Sequence, residues 1–415
     1  MADKVIVIGG GAAGLMAAGS AAERGADAVL LEKNDILGKK LRISGKGRCN
    51  ITNAMPINDF TACYPGNGRF LYSALTRFTN QDLTAFFGRY GVKTKVERGG
   101  RVFPESDSAH QVADALIRYA KDHGVEFRMN TRVTEISAIN GQIDGVETDV
   151  GFLSANRVIL ATGGASYPGT GSTGDGYRLA AALGHTIITP FPALVPLRTR
   201  ETWVKQVSGL SLRNVSATII KGNDTKRAAT EFGEMLFAHF GVTGPIILTL
   251  SRQAGLWLRE GFPVTLRIDL KPALSESQLD QRIQRDFGQV QRKQFKNSLG
   301  RLLPKNLIPV IVALSGIDPE KPVHQITRSE RLNLVTLLKR LELSIIETLP
   351  LQAAIVTAGG VCVKEIDPKT MQSRLVKGLF FAGEVIDVDG VTGGFNLQAA
   401  FSTGRLAGIS AVEGN

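Results

Sequence analysis

The chain has 415 residues, 43% of them hydrophobic, and three widely separated cysteines. This composition predicts about two to three domains of a reduced, cytoplasmic protein without a disulfide framework, and no stretch approaches the roughly 18 apolar residues of a membrane span. The formal net charge of +11 indicates either attraction to anionic partners such as nucleotides or RNA, or simply a basic soluble surface.

The N-terminal segment carries a nearly complete dinucleotide-binding signature. A β-branched apolar run predicts a strand, a glycine-rich turn and a helix follow, and a second apolar strand ends in an acidic residue. These parts occupy residues 4–8, the turn Gly9-Gly-Gly-Ala-Ala-Gly14, residues 15–24, residues 28–31 and Glu32. Because the first apolar run is itself this strand, we expect no signal peptide.

Each residue of the signature has a physical reason to be there. Gly9 allows a tight turn, Gly11 lets the backbone approach a pyrophosphate, and Gly14 lets the helix pack on the strand. The helix N-terminus offers free N–H groups and partial positive charge to the pyrophosphate. Glu32 can accept hydrogen bonds from both hydroxyls of the adenosine ribose.

The rest of the first 190 residues alternates predicted strands and helices, as in an α/β domain. The predicted elements are helices at 81–90 and 109–123, a strand at 125–129, a β-meander over 131–155 and a buried strand at 157–161. Prolines at 190, 192 and 196 then mark a change of composition.

The second half predicts an insertion into the first domain. Residues 191–272 are predicted to be β-rich and residues 273–343 helical, after which apolar strands followed by glycine return. We therefore predict a Rossmann-like nucleotide-binding α/β domain, formed by 1–190 and 351–415, with an inserted domain at 191–350.

The C-terminal motifs favour FAD over a nicotinamide cofactor alone. FAD is long and needs a second contact point for its ribityl and flavin parts, distant in sequence from the first. Glu384 follows an apolar strand and Gly383, and could hold a ribityl hydroxyl. A helix that starts near Gly394 would direct its N–H groups at the flavin N1–C2 edge, where negative charge collects on reduction.

The combined motifs resemble the HI0933-like flavoprotein family. They are Gly9-Gly-Gly-Ala-Ala-Gly14, Gly38-Lys-Lys40, Ser44-Gly-Lys-Gly-Arg-Cys-Asn50, Arg101-Val-Phe-Pro104, Ala161-Thr-Gly-Gly164 and Gly383-Glu384 with Gly393-Gly-Phe-Asn-Leu-Gln398. The resemblance spans nearly the whole chain. It implies an NAD(P)/FAD-dependent oxidoreductase with a Rossmann-like FAD-binding domain of the glutathione-reductase-like ββα type. One branch of the family reduces carbon–carbon double bonds in oxo-bile acids. A more distant similarity is to fumarate reductases and ketosteroid dehydrogenases.

The resemblance also implies which residues hold FAD. The pyrophosphate would be bound by Gly9, Gly11, Ala12, Ala13 and Gly14, and the adenosine by Glu32, Lys33 and the Val133 backbone. The stretch from pyrophosphate to flavin would be lined by Lys40, Ser44, Gly45, Gly47, Cys49 and Asn50, and the cofactor covered by Thr162 and Gly163. The ribityl and flavin end would be held by Gly383, Glu384, Gly394, Phe395, Asn396 and Leu397.

Departures from related flavoproteins narrow the chemistry. No histidine lies between Gly38 and Asn50, so we expect non-covalent FAD. Cys49 is either a thiol of low pKa or a small residue that fills space under the cofactor. A second complete glycine fingerprint is missing, with Asp175 interpreted as a helix N-cap, so NAD(P)H would bind transiently or another protein would supply electrons. The histidines show no metal-ligand spacing, and no metal is predicted.

Three residues are the candidate catalytic groups. Arg48 could neutralise a phosphate or a developing flavin anion, or belong to a solvated basic loop. Arg101 could clamp a carbonyl or carboxylate, or form a structural ion pair. His239, in the inserted domain, could protonate substrate or be a hydrogen-bonded core residue.

The function predicted from these features is an FAD-dependent oxidoreductase that transfers hydride to or from a small organic substrate, such as a conjugated enone reduced with NAD(P)H. The alternative is an FAD-containing RNA-binding or tRNA-modifying protein, supported by the charge but not by any basic motif interleaved with aromatic residues. The oligomeric state is left open.

Overall fold

The computed structural model describes residues 4–222 and 224–413. Contacts between Cα atoms divide the chain into two compact units, Met1–Phe191 with Ala354–Asn415 and Pro192–Ala353. In the described part of the chain, no helix combines the length and apolar character needed to cross a bilayer.

The strands are numbered in chain order. They are β1 (Lys4–Ile8), β2 (Asp27–Leu31), β3 (Thr52–Asn53), β4 (Thr94–Glu97), β5 (Arg101–Pro104), β6 (Glu126–Arg128), β7 (Val133–Ile139), β8 (Gln142–Thr148), β9 (Gly151–Ser154), β10 (Arg157–Leu160), β11 (Ile187–Ala193), β12 (Leu197–Thr199), β13 (Ser211–Lys221), β14 (Asp224–Ala238), β15 (Gly241–Thr243), β16 (Val264–Asp269), β17 (Leu341–Thr348), β18 (Val356–Val361) and β19 (Leu379–Phe381).

The α-helices are numbered in the same way. They are α1 (Ala12–Glu23), α2 (Lys39–Ile43), α3 (Tyr72–Arg77), α4 (Asn80–Arg89), α5 (Ala109–Asp122), α6 (Asp175–Ala182), α7 (Pro245–Arg259), α8 (Glu276–Gly288), α9 (Ile308–Ser315), α10 (Arg328–Lys339) and α11 (Phe395–Glu413). Short 3₁₀ turns join several of them.

A five-stranded parallel sheet forms the centre of the first unit. Its order is β19-β10-β1-β2-β6, so a strand from the end of the chain pairs with strands from its beginning. Three side chains of β1, Val5, Ile6 and Val7, have no exposed surface, because a parallel sheet is covered on both faces and selects continuous apolar runs. This arrangement confirms the predicted α/β, Rossmann-type fold.

Helix α11 packs closely against α1, which brings the C-terminal segment beside the glycine-rich turn. A Cβ atom on Gly404 would lie 2.4 Å from the Ala13 carbonyl oxygen, and one on Gly408 would lie 2.3 Å from that of Ala17. Only glycine permits such an approach of two backbones. The small residues near the C-terminus therefore fix where α11 begins relative to the end of β1.

The second unit contains a closed antiparallel barrel with the order β12-β15-β14-β13-β16-β17. Two elements of this region differ in type from the composition predicted for their stretch. Helix α7 lies inside the stretch predicted to be mainly β, and β17 begins inside the stretch predicted to be helical. In α7 the β-branched pair Ile246-Ile247 is typical of a strand. The buried residues, however, follow a helical spacing of three or four; they are Ile246, Leu250, Ala254 and Trp257.

A buried histidine in the first unit gives a pH-dependent contribution to stability. The His185 Nδ1 atom lies 3.2 Å from Glu365 Oε2 and its Nε2 atom lies 2.8 Å from Ser373 Oγ. Ser373 Oγ accepts hydrogen bonds from the Leu375 and Val376 amides, so its hydroxyl proton points at the imidazole. Burial lowers the pKa of His185, and Glu365 opposes that effect only in part.

We expect the folded protein to lose stability as the pH falls below the ordinary histidine pKa of about 6.5. The unfolded chain then binds a proton that folded His185 binds less readily, and the free energy of unfolding falls by up to about 1.4 kcal/mol per pH unit. Melting temperatures between about pH 7.5 and about pH 5.5, above the range where carboxylates titrate, measure this. A His185→Gln variant should show a flatter profile, and parallel profiles would contradict the assignment.

Candidate cofactor-binding site

A long cleft in the first unit opens along the carboxyl edge of the parallel sheet. The volume of the cleft, including the part open to solvent at its mouth, is about 1570 Å³. The predicted cofactor residues that line it are Gly9, Gly11, Ala12, Ala13, Glu32, Lys33, Lys40, Ser44, Val133, Thr162, Gly163, Gly383, Glu384, Asn396 and Leu397. The cleft therefore joins the ends of β1, β2, β10 and β19 in one site, as expected for ligands of open α/β sheets.

The glycine-rich turn shows two different uses of glycine. A Cβ atom on Gly14 would lie only 1.8 Å from the Gly9 carbonyl oxygen, so this glycine is required by packing inside the protein. A Cβ atom on Gly11 would meet nothing within 4 Å, although Gly11 lines the cleft. Gly11 therefore leaves free space at the N-terminus of α1, where helix geometry favours an anion.

The Glu32 carboxylate forms hydrogen bonds within the protein that the sequence did not predict. Its Oε2 atom accepts a hydrogen bond of 2.7 Å from the Gly10 amide, and its Oε1 atom accepts bonds from the amide and side chain of Asn34. A carboxylate offers about four acceptor positions, so three internal bonds leave little capacity for a ribose. Much of the role of Glu32 is to hold the glycine-rich turn in place.

Lys33 forms part of an ionic cluster that the sequence did not reveal. Its Nζ atom lies 2.6 Å from Thr173 Oγ1 and 2.7 Å from Asp175 Oδ2, and Arg132 reaches the same carboxylate oxygen at 2.9 Å. Burial alone would raise the pKa of Asp175, but Lys33, Thr173 and Arg132 together outweigh burial, and the pKa lies below its usual value. The N-cap of α6 is Gly174, so Asp175 is the first helical residue and not the predicted cap.

A second ionic cluster joins the two ends of the chain at the middle of the cleft. Lys40 Nζ lies 2.8 Å from Glu384 Oε2 and 2.8 Å from Ser166 Oγ. Glu384 Oε1 accepts a bond of 2.8 Å from the Thr357 amide and lies 3.2 Å from Ser166 Oγ. The side chains of Lys40 and Glu384 keep 27% and 21% of their surface exposed, so they are half-buried and face the cleft.

The loop after α2 begins at Ser44, which lines the cleft. Ser44 Oγ donates to the Leu41 carbonyl, and Lys46 and Cys49 both have left-handed backbone conformations, with φ of 59° and 60°. Cys49 is fully buried, and burial raises the pKa of its thiol to about 12. Its burial favours the interpretation of Cys49 as a small residue that fills space over that of a reactive thiol.

Asparagine side chains fix the loop that precedes α11. With its amide oriented to satisfy its neighbours, Asn50 accepts a bond of 2.9 Å from the Gly394 amide, and Asn53 donates to the Gly393 carbonyl at 3.1 Å. The Asn396 side chain both accepts from the Gly390 amide and donates to the Gly390 carbonyl, at 2.8 Å each. Asn396 therefore shapes the loop with its side chain and is left to face a cofactor with its backbone.

Replacing Asn396 with alanine should weaken FAD binding by loosening this loop. Two hydrogen bonds are lost, and each is worth about 1 kcal/mol in proteins, so we expect about a tenfold or greater rise in the Kd for FAD. Flavin fluorescence titration of the purified variant measures the Kd. Asn306→Ala, at an exposed position in the second unit, is the control, and equal affinities for the two variants would contradict this role.

The other predicted residues lie outside the lining of the cleft. They are Gly14, Gly45, Gly47, Cys49, Asn50, Gly394 and Phe395. The carbonyl of Phe395 accepts a hydrogen bond of 2.8 Å from the buried Tyr64 hydroxyl. Gly394 is forced by the backbone, since a Cβ atom there would lie 2.3 Å from the Thr52 carbonyl oxygen.

Arg48 and Arg101, two of the three candidate catalytic residues, do not line the cleft. The Arg48 guanidinium pairs with Glu97 and Asp107 and lies 4.2 Å from the centroid of the Phe103 ring. Arg101 donates to the Arg98 carbonyl, and 42% of its side chain is exposed. Both guanidinium groups are therefore engaged by protein atoms, and a catalytic role for either stays a prediction. His239 is exposed in the turn between β14 and β15 of the second unit, and its role stays a prediction.

Sequence reasoning missed the polar residues that complete the cleft. The Ser166 hydroxyl contacts both Lys40 and Glu384, and the Thr357 amide donates to Glu384. Thr403 Oγ1 accepts a bond of 2.9 Å from the Gly383 amide. Isolated serine and threonine residues give no pattern that distinguishes them from others. The one available signal was position, since Ser166 follows the glycine-rich sequence after β10.

The residues of the cleft fit FAD. Gly11 leaves room that no protein atom fills, while the N-termini of α1 and α11 reach the same cleft and each offers backbone N–H groups without helical partners. An elongated ligand with a pyrophosphate near α1 and a second electron-rich group near α11 matches this arrangement.

Comparisons with known proteins agree with these features. A 3-dehydro-bile acid delta(4,6)-reductase from Clostridium scindens is 33% identical over 415 residues, which are 99% of each chain. A ribosomal RNA dihydrouridine synthase from Haemophilus influenzae is 31% identical, with 98% of this chain and 97% of the relative covered. The corresponding Escherichia coli protein is 30% identical, with 96% and 95% covered.

Solved structures share the fold at low sequence identity. A 3-ketosteroid delta1-dehydrogenase from Sterolibacterium denitrificans matches over 100% of both chains with a TM-score of 0.56 and 14% identity. A flavocytochrome c3 fumarate reductase covers 99% of this chain, at a TM-score of 0.51 and 18% identity, over 78% of its own length. The model of the HI0933-like protein Rossmann domain matches residues 3–410, and the chain therefore belongs to the HI0933-like family.

Proposed function

We propose that this protein is an FAD-dependent reductase of a carbon–carbon double bond conjugated with a carbonyl group, and that NAD(P)H supplies the electrons. The observation that carries the proposal is the single cleft that joins the glycine-rich turn, the Lys40 and Glu384 pair and the start of α11. The bile-acid reductase among the relatives supports a substrate of this class.

The residues have distinct proposed roles in holding the cofactor. Gly11, Ala12 and the N-terminus of α1 would bind the pyrophosphate, with Glu32 and the Val133 backbone at the adenosine. Lys40 and Glu384 would hold the ribityl part, and Asn396 and Leu397 would face the flavin. When bound, FAD supplies hydride transfer, and the chain binds, orients and excludes water.

Reduction of a conjugated double bond also needs a proton at the carbon beside the carbonyl. His239 is the titratable candidate, because Arg48 and Arg101 are engaged with Glu97, Asp107 and Arg98. A His239→Ala variant that keeps full turnover would remove this residue from the mechanism, while a loss of turnover with unchanged flavin reduction would support it.

Anaerobic stopped-flow spectroscopy tests the reaction directly. The purified protein should carry flavin, NADH or NADPH should bleach its absorbance, and a 3-oxo-4-ene steroid or a smaller enone should restore it. Protein that stays colourless after incubation with excess FAD would refute the proposal. The proposal would also be refuted if neither NADH nor NADPH reduces the bound flavin and no enone reoxidises flavin that dithionite has reduced.

A second candidate substrate is a uridine in ribosomal RNA. The C5–C6 double bond of uracil is conjugated with the C4 carbonyl, so the same chemistry would reduce it, and two relatives carry this activity in their names. The charge favours this candidate, because residues 192–353 hold 23 Lys and Arg against 14 Asp and Glu, which is +9 of the total +11. Dihydrouridine measured by mass spectrometry after incubation with uridine-containing rRNA distinguishes the two substrates.

A further inference from the structure

We propose that one basic face of the second unit binds the phosphate backbone of RNA. We define this basic face by Arg285, Arg292, Lys293, Arg301 and Lys305, which are all exposed. The inference rests on the second candidate reaction, reduction of a uridine in RNA, and identifies the surface that would hold such a substrate.

The first support is the local imbalance of charge. Residues 289–305 contain five basic side chains and no acidic one. The like charges of such a run repel one another, whereas most protein surfaces mix basic with acidic side chains. The net charge of residues 289–305 is larger than that of the whole first unit, where the charges of 26 basic and 24 acidic residues nearly cancel.

The neighbouring acidic residues are already used by other partners. In α8, Glu276 pairs with Arg340, Asp280 with Arg331 and Asp286 with Arg282. Glu320, beside the loop, pairs with Lys296. Within the part of the chain that the structure describes, Arg285, Arg292, Lys293 and Lys305 have no ion-pair partner, so their charges are available to an anion.

Backbone and side-chain contacts hold these residues on one connected surface. Arg285 lies one helical turn before Gln289, whose side chain bonds to Arg301. The segment after Gln289 is held by hydrogen bonds from the Val323 amide to the Lys293 carbonyl and from the Phe295 amide to the Lys321 carbonyl. The cations are therefore displayed on ordered backbone rather than on a free tail.

The surface suits a flexible polyanion better than a small anion. The cations are exposed and spread from the last turn of α8 along the segment that follows it. Binding of such cations to a phosphate backbone is driven by counterion release. The face contributes affinity without reading sequence, since phosphate contacts position a nucleic acid and base contacts specify it.

A four-site variant tests the face in the full-length holoprotein. Arg285→Gln/Arg292→Gln/Lys293→Gln/Lys305→Gln removes only unpaired charges, so its melting temperature should match that of the wild type. Binding of a fluorescein-labelled 20-nucleotide poly(U) strand is followed by anisotropy across salt concentrations. We expect the Kd to rise on the order of tenfold or more and the slope of log Kd against log salt to fall by about 3.

The matched control removes four exposed charges from the first unit, Arg77→Gln/Arg89→Gln/Lys93→Gln/Lys121→Gln. It should bind poly(U) like the wild type. Equal losses in both variants, unchanged binding in the four-site variant, or wild-type protein that binds phosphatidylserine vesicles but not poly(U) would each overturn the proposal.

Enone reduction in the four-site variant separates this inference from the reaction itself. It should be unchanged, because none of the four residues lines the cleft. If poly(U) binding depends on the basic face but no rRNA uridine is reduced, the proposal of an RNA substrate is refuted and the proposal of a phosphate-binding surface is supported. If uridine in rRNA is reduced at equal rates by the variant and the wild type, the proposed role of the basic face is refuted and the proposed reaction is supported.

Discussion

A Gly11→Val variant should fold like the wild type and be purified without FAD. The backbone of Gly11 has φ of −83° and ψ of −169°, which valine adopts readily, and its Cβ would meet no protein atom within 4 Å. The valine methyl groups would instead occupy the space at the N-terminus of α1. Losing two charge-assisted bonds to a pyrophosphate costs roughly 3–6 kcal/mol, so FAD affinity should fall at least about 100-fold.

Two further glycine variants separate folding from binding. Gly14→Ala should fail to fold, because its Cβ would lie 1.8 Å from the Gly9 carbonyl oxygen. Gly88→Ala, in a helix and without a neighbour within 4 Å, should keep both fold and flavin. Circular dichroism and the flavin-to-protein absorbance ratio measure the two properties. A Gly11→Val protein with full flavin content would show that the pyrophosphate binds elsewhere.

Removal of Glu384 should have the second largest effect. Glu384→Ala leaves the Lys40 ammonium, the Ser166 hydroxyl and the Thr357 amide without their common acceptor. Because the pair is half-buried, we expect the free energy of unfolding of the apoprotein to fall by roughly 2 kcal/mol, less than for a fully buried pair. FAD affinity should fall as well.

A double-mutant cycle measures the coupling between the two ends of the chain. Lys40→Met combined with Glu384→Ala should cost less than the two single changes together, because each single change leaves an unpaired partner. The exposed pair Arg24 and Glu413, with side chains 47% and 53% exposed, also joins distant parts of the chain and should show coupling close to zero. Urea denaturation of all variants gives the values, and additive effects at Lys40 and Glu384 would contradict the cluster described above.

The sequence was sufficient where a local rule decides the outcome. The run Lys4–Ile8, the turn that follows and Glu32 form a βαβ unit because strand propensity, glycine conformation and helix geometry all agree within 32 residues. The family, the Rossmann-type fold and the flavin-dependent class of the protein followed from these motifs and their C-terminal counterparts. Helix α7 was missed because Ile246 and Ile247 suit either a strand or a buried helix.

What the sequence determined by itself is the set of backbone conformations near glycine and the identity of the strands that meet in the central sheet. Only the tertiary structure decided how the polar side chains are used, because that depends on contacts between residues far apart in the chain. Lys40 meets Glu384 across 344 positions, and the Asn396 side chain turns to its own loop rather than to a ligand. A local pattern shows that a charged or amide group is present, but its partner is known only once the fold has brought the two together.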